Sequence, residues 1–247
     1  MLEKINWYKD WFNSPFYHIL YKNRDLKDAK ILIDNLIEYL NPSNQAKVLD
    51  LACGKGRHAI YLNQAGFDTI GLDMSVNSII EAKVFENDSL KFIVGDMRAI
   101  PFQNQFDLVF NLFTSFGYFD NQEDNILTLQ SVFSSLKNNG TFVLDFFNTN
   151  KVIKKLIADE VKVAEEIAFK INRKVADNII IKTIHFEFEG EVYSFEERVE
   201  ALTLSDIQGF AEKSGFLVTD VFGSYQLEAY HGEQSDRMIF IMKKANA

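Results

Sequence analysis

A chain of 247 residues with 47% hydrophobic and 25% charged side chains carries enough apolar material for one large α/β domain, or one domain with an insertion, and is neither disordered nor fibrous in composition. Its formal net charge of −9 argues against nucleic acid as a partner, since that binding rests on neutralising phosphates. The single cysteine, Cys53, excludes an intramolecular disulfide, and no apolar run reaches signal-peptide or membrane-spanning length, so a soluble, cytoplasmic protein with no membrane contact is expected.

Residues 1–45 read as a helical N-terminal arm. Its clearest part runs from Asp25 to Leu40, where Leu26, Ala29, Ile33, Leu36, Ile37 and Leu40 recur at helical spacing behind an Asp25 cap and Pro42 stops the run. Ahead of it lie Trp7, Tyr8, Trp11, Phe12, Phe16, Tyr17 and Tyr21. These aromatics are expected to pack the arm on the domain; the alternative is that Tyr17, Tyr21 or Arg24 closes over a ligand.

Apolar runs at Val48–Ala52, Thr69–Leu72, Phe92–Val94, Leu108–Phe113 and Phe142–Phe147 alternate with helical patterns near 57–65, 75–86 and 122–137, with a helix-ending turn signalled at Gly140. Repeated βα units imply a parallel sheet. Residues 160–203 break the rhythm with three β-like runs, Val161–Ile171, Val175–Phe188 and Glu191–Leu202, joined at or near Ala176-Asp177-Asn178 and at Glu189-Gly190-Glu191 and read as an inserted antiparallel meander serving as a lid or a dimer contact. A helix capped by Ser205 or Asp206 and two strands, Phe216–Phe222 and Met238–Met242, complete the chain. The expected core domain is therefore 46–159 with 204–247. The exposed edges of a short meander favour a homodimer.

The chemistry is concentrated where Lys47-Val48-Leu49-Asp50-Leu51 runs into Ala52-Cys53-Gly54-Lys55-Gly56 and a helix, a strand–turn–helix that suits a nucleoside-bearing ligand. Gly54 to Ala59 also fits the dinucleotide pattern GxGxxA, with Asp73 at the offset of a ribose-binding acid, which leaves an NAD-dependent oxidoreductase open. Asp50 tips the balance: a carboxylate at the strand tip repels a pyrophosphate but favours the sulfonium and ammonium of S-adenosylmethionine. Asp73 and Asp96, the latter in Gly95-Asp96-Met97, end the next two strands, where open parallel sheets bind ligands. Asp73 can accept from ribose hydroxyls, Asp96 from the adenine amino group beside Met97, and Asp50 can face the methionine ammonium.

The blocks DLACGKGRH, GLDMS, GDMRAIPF, FDLVFNLFTSFGYF and NNGTFVLDFFN resemble the class I S-adenosylmethionine-dependent methyltransferases, and more narrowly a bacterial small-molecule subgroup related to sugar and amine N-methyltransferases. The likeness spans about residues 15 to 245. It implies a Rossmann-like seven-stranded sheet with an antiparallel last strand, and methyl transfer to a small-molecule nitrogen or oxygen, with a non-catalytic cofactor-binding regulator as the alternative. By position it assigns Asp50, Ala52, Gly54 and Gly56 to the first cofactor motif, Asp73 and Met74 to the ribose, Asp96 and Met97 to the adenine end, and Asn111 and Leu112 to the methionine; Cys53 and Gly95 beside them, and Tyr21 and Arg24 of the arm, are further cofactor-binding candidates. Ala52 departs from the pattern, since many relatives place the first of three glycines there. An Asn/Asp-Pro-Pro-Tyr/Phe motif, usual in nucleic-acid amino methyltransferases, is absent from the loop at Phe113–Phe119, which moves the acceptor toward a small molecule.

Two residues are candidates for acid–base or acceptor-orienting work: Tyr118 in that loop and His231, which stands near Tyr225, Tyr230 and Arg237 in a segment expected to roof the acceptor pocket. His58, in the glycine turn, is expected to pack or cap. His18, His58, His185 and His231 include no pair at metal-binding spacing, so no metal is expected.

Overall fold

The structure, a computed structural model, describes residues 7–22, 26–119 and 121–244. Arg24 and the Asp25 cap lie outside them, as do the side chains of Trp7 and Tyr8. Three helices open the chain, α1 (Trp7–Phe12), α2 (Pro15–Leu20) and α3 (Leu26–Leu40). The Ser14 side chain caps α2 by accepting from the Phe16 N–H, and Pro15 occupies the first helical position, where its missing N–H costs nothing. The βα units follow as β1 (Lys47–Leu51), α4 (Arg57–Gln64), β2 (Asp68–Asp73), α5 (Val76–Ala82), β3 (Leu90–Val94), β4 (Phe106–Asn111), α6 (Gln122–Ser135) and β5 (Leu136–Phe147). After α7 (Thr149–Lys154) come β6 (Asp159–Ala164), β7 (Ile167–Ala176), β8 (Ile179–Phe188) and β9 (Glu191–Glu200), then α8 (Leu204–Lys213), β10 (Phe216–Phe222) and β11 (Arg237–Lys244).

Seven strands form one sheet in the order β10-β11-β5-β4-β1-β2-β3, and β6 to β9 form a second, antiparallel sheet in chain order. In the large sheet β11 alone runs against its neighbours β10 and β5. Successive residues of each central strand serve opposite faces, as the pleat requires. Val48, Leu108, Val143 and Ile239 pack with Leu32, Ile33 and Leu36 of α3, whereas Leu49, Val109, Phe142 and Phe240 pack with Leu129 of α6 and Phe210 of α8. Strand order reverses at β1, so a crevice opens between the carboxyl ends of β1 and β4. The second sheet buries Phe169, Ile171, Ile184 and Phe186 against Trp11, Phe16 and Leu20 of α1 and α2.

Several local expectations are corrected. The run Val161–Ile171 is two strands, because Glu165 and Glu166 turn the chain at φ 49° and 68°; a left-handed pair of glutamates lacks the glycine or asparagine that marks such turns. The arm is three helices broken at Ser14-Pro15 and after Leu20. α6 stops at Ser135, and the Gly140 turn lies inside β5, where pairing with β4 jumps from Phe106–Leu136 to Leu108–Thr141. The cap of α8 is Thr203, not Ser205 or Asp206: its side chain accepts from the Asp206 N–H while Asp206 accepts from the Thr203 N–H, a reciprocal pair. No described helix is long and apolar enough to cross a membrane.

Candidate active site

The glycine turn owes its shape to backbone conformation. Ala52, Gly54 and Gly56 all have positive φ, at 60°, 56° and 82°. At Gly56 a Cβ would stand 2.5 Å from the Phe92 ring, so only glycine fits there; at Gly54 a Cβ would meet nothing within 4 Å, because the cavity begins there. Asp73, at the tip of β2, ties the turn to the neighbouring strand. Its Oδ2 accepts from the Gly54 N–H at 2.7 Å and its Oδ1 from the Ser75 N–H at 2.8 Å. Burial pushes its pKa up, opposed by these backbone donors.

A cavity of about 430 Å³ runs along the strand tips, from Gly95, Asp96 and Met97 after β3, past Asp73 and Met74, over Ala52, Cys53 and Gly54, to Leu112, Phe113 and Thr114 after β4. That volume suits a ligand of nucleoside size and more. Its far wall is α1, α2 and the two residues that follow α2: Phe12, Tyr17, His18, Tyr21 and Lys22. Tyr17 makes edge contacts with Phe12 at 5.1 Å, and Phe12 reaches across to Tyr118 at 5.5 Å. The Tyr21 hydroxyl donates to Glu197 of β9 at 2.6 Å and also meets Lys182 of β8, so the second sheet fixes this wall from behind. At the other end Arg98 holds Asp96 at 2.6 Å and Asp124 at 2.9 Å, and lies over the Phe119 ring.

Of the residues expected in the site, Ala52, Cys53, Gly54, Asp73, Met74, Gly95, Asp96, Met97, Leu112, Tyr21 and Tyr118 line this cavity. Four do not. Asp50 is buried, and its Oδ2 accepts from the Ala59 N–H at 2.9 Å, at the N-terminus of α4. Gly56 packs on Phe92, and buried Asn111 donates to the Leu51 carbonyl at 3.0 Å. His231 is exposed, its backbone N–H bonded to the Ser235 hydroxyl, and its loop backs the site through Tyr225 rather than roofing it. The roof is α1 and α2, so the two readings of the N-terminal aromatics both apply: Trp11 and Phe16 pack inward while Phe12, Tyr17 and Tyr21 face the cavity.

The remaining titratable groups near the turn are unsuited to proton transfer or attack. Burial pushes the Cys53 thiol well up, and burial with the neighbouring Arg57 charge pushes His58 down to about 3. His58 is thus a neutral ring, stacked on Phe113 at 5.1 Å with its Nε2 3.1 Å from Arg57. Thr114, Ser115 and Phe119 line the cavity from the loop after β4, and Lys55, Arg57, Ser75, Ser78 and Arg98 join them although their residue types did not mark them. Sequence proximity to the strand tips was the only signal for most of them.

The fold and the cavity define an α/β protein with a nucleoside-sized site at the switch point of its parallel strands. Residues 42–208 match the family profile described as "Methyltransferase domain", and the chain belongs to that family. It is 30% identical over 215 residues to YqeM of Bacillus subtilis (strain 168), provisionally named a methyltransferase, covering 81% of this chain and 85% of YqeM. A glycine/sarcosine N-methyltransferase of Aphanothece halophytica is 29% identical, covering 84% of this chain and 80% of that protein. The crystal structure of an S-adenosylmethionine-dependent methyltransferase from Clostridium acetobutylicum superposes with a TM-score of 0.80 at 21% identity, covering 94% and 98% of the two chains, and so shares the fold. The protein is an S-adenosylmethionine-dependent methyltransferase with a Rossmann-like fold.

The residues present suit that cofactor. Asp73 offers two carboxylate oxygens, each with a lone pair beyond the one given to the backbone, which matches a ribose diol. The open space above Gly54 lets a ligand approach the main chain. At the start of α4 the Ala59 N–H, one of the donors a pyrophosphate would use, is already taken by Asp50.

Proposed function

We propose that the chain methylates a nitrogen or oxygen of a small-molecule acceptor. The observation that carries this reading is the aromatic wall of Phe12, Tyr17, Tyr21 and Tyr118 closing the cavity opposite the strand tips. Such a pocket accommodates a compact molecule and excludes a folded chain. The glycine/sarcosine N-methyltransferase among the relatives acts on small amines, which supports the same class.

In this reading Asp73 holds the ribose, Asp96 and Met97 take the adenine, and Ala52, Cys53, Gly54 and Leu112 line the path to the methyl donor. When bound, S-adenosylmethionine supplies an electrophilic methyl group on a sulfonium centre. The chain contributes alignment and exclusion of water, which account for a large part of the barrier in a bimolecular transfer. The Tyr118 hydroxyl donates to the Thr114 carbonyl at 2.6 Å, so this tyrosine shapes the pocket as a fixed wall. No proton acceptor is needed for an amine that arrives neutral.

The test is incubation with methyl-labelled S-adenosylmethionine and a panel of small amines, amino acids, amino sugars and hydroxy acids, alongside RNA and protein. Label in one or more small molecules, read by mass spectrometry, is the expected result. Label confined to RNA or protein, or no transfer at all, would overturn the reading.

A further inference from the structure

The turn after β4 carries two consecutive non-glycine residues in the left-handed region, Phe113 at φ 58° and Thr114 at φ 60°, and both line the cavity. Side chains with a Cβ disfavour this conformation, and outside a two-residue hairpin turn a run of two needs its surroundings to hold it. Here a closed ring of bonds does so. The Phe113 N–H donates to Asp145 Oδ2 at 2.8 Å, and the Thr114 N–H donates to the Asp145 carbonyl at 3.0 Å. Arg237 donates from Nε to Asp145 Oδ1 at 2.7 Å and from Nη2 to Thr114 Oγ1 at 2.9 Å. Its guanidinium lies over the Tyr225 ring, and that ring packs on Phe113 at 5.2 Å.

Asp145 is fully buried near the end of β5, and Arg237 opens β11 beside it, so both sit on the rigid sheet. Neither lines the cavity. They act on it through the turn, and the fork of Arg237 is what reaches two acceptors at once.

We propose that Asp145 and Arg237 are positioning residues that press the Phe113–Thr114 wall against the amino-acid end of the bound cofactor. The inference rests on the placement of ribose at Asp73 given above. Adenine, ribose and amino acid lie in line in S-adenosylmethionine, so ribose at β2 with adenine toward β3 sends the amino-acid end toward β1 and β4, where the turn stands.

The experiment compares two probes by calorimetry: S-adenosylhomocysteine, which has the amino-acid end, and 5′-methylthioadenosine, which lacks it. Arg237→Lys keeps a cation beside Asp145 but loses the Thr114 bond, Thr114→Val removes the acceptor from the other side, and Thr114→Ser restores it. Releasing a preorganised wall is expected to weaken S-adenosylhomocysteine about tenfold in the first two variants while 5′-methylthioadenosine stays within about twofold. Thr114→Ser should match the parent chain, and the Phe113 and Thr114 amides should exchange faster in Arg237→Lys. Equal loss for both probes, or unchanged S-adenosylhomocysteine affinity despite faster exchange, would overturn the proposal. Asp73→Asn separates the two ideas: it should weaken both probes, and a variant that binds 5′-methylthioadenosine as well as the parent would remove the ribose placement instead.

Discussion

Asp50 and His58 lie eight residues apart on either side of one turn, both buried, and their titrations oppose each other. Asp50 is pushed up to about 7, chiefly by burial and further by Asp73, against the pull of the Ala59 N–H and Arg57. His58 is pushed down to about 3 by burial and by Arg57. A raised carboxylate makes the native state hold its proton longer than the unfolded chain, so stability falls as pH rises from 3.8 to about 7. A depressed histidine does the reverse: stability is lost as pH falls from 6.5 toward about 3. At about 1.4 kcal/mol per pH unit the two contributions are about 4 and about 5 kcal/mol. Over the shared window they nearly cancel.

Asp50→Asn removes one side of this balance. Its amide oxygen can still accept from the Ala59 N–H, and an amide hydrogen without an acceptor lowers stability by about 1–3 kcal/mol at every pH. The slope is therefore the diagnostic quantity. Urea unfolding from pH 4.5 to 7 should show the variant gaining about 3 kcal/mol relative to the parent across that range, the share of the Asp50 titration that the window spans and the variant lacks. Parallel profiles for the two proteins would refute the opposed titrations.

Other substitutions probe separate links. His58→Gln should give the mirror profile, with stability falling as pH rises toward neutrality in the same urea series. Asp73→Ala should cost about 1.5–3 kcal/mol of cofactor affinity, a loss of about 10- to 150-fold in an S-adenosylhomocysteine titration. Ala52→Gly relieves a left-handed alanine worth about 1–2 kcal/mol but adds freedom to the unfolded chain, for a net gain of about 0.5–1 kcal/mol by thermal unfolding. Glu197→Gln leaves Lys182 mostly buried beside a neutral partner, and should lower stability by about 3 kcal/mol in denaturant titrations.

The large sheet was legible because its strands are continuous apolar runs separated by helical periodicity, a pattern that parallel sheets impose. Turns were legible where side chains advertise them, at Asp177-Asn178 and Glu189-Gly190, and illegible at Glu165-Glu166, where the backbone bends against the preference of its residues. The strand-tip acids divided in the same way. Asp73 and Asp96 face the cavity, but Asp50 has the same sequence context and turns inward to cap α4, a choice made by the geometry of the helix start rather than by local composition. His231 looked chemical through its neighbours in sequence, whereas Arg237, six residues on, takes the structural contact because its fork reaches Asp145 and Thr114. Asp145 itself reads as one more polar residue in an apolar strand. Its partners lie 32 and 92 residues away, beyond any local pattern.

The wall formed by α1 and α2 has a consequence for how the chain is made. Trp11 donates its indole N–H to Glu197, 186 residues further along. At a synthesis rate of about 5–20 residues per second, the aromatic residues of α1 and α2 wait about 10–40 s for the sheet that covers them. These two helices leave the ribosome long before the strands that cover them and settle only late, and the cavity has no far wall until β9 has emerged.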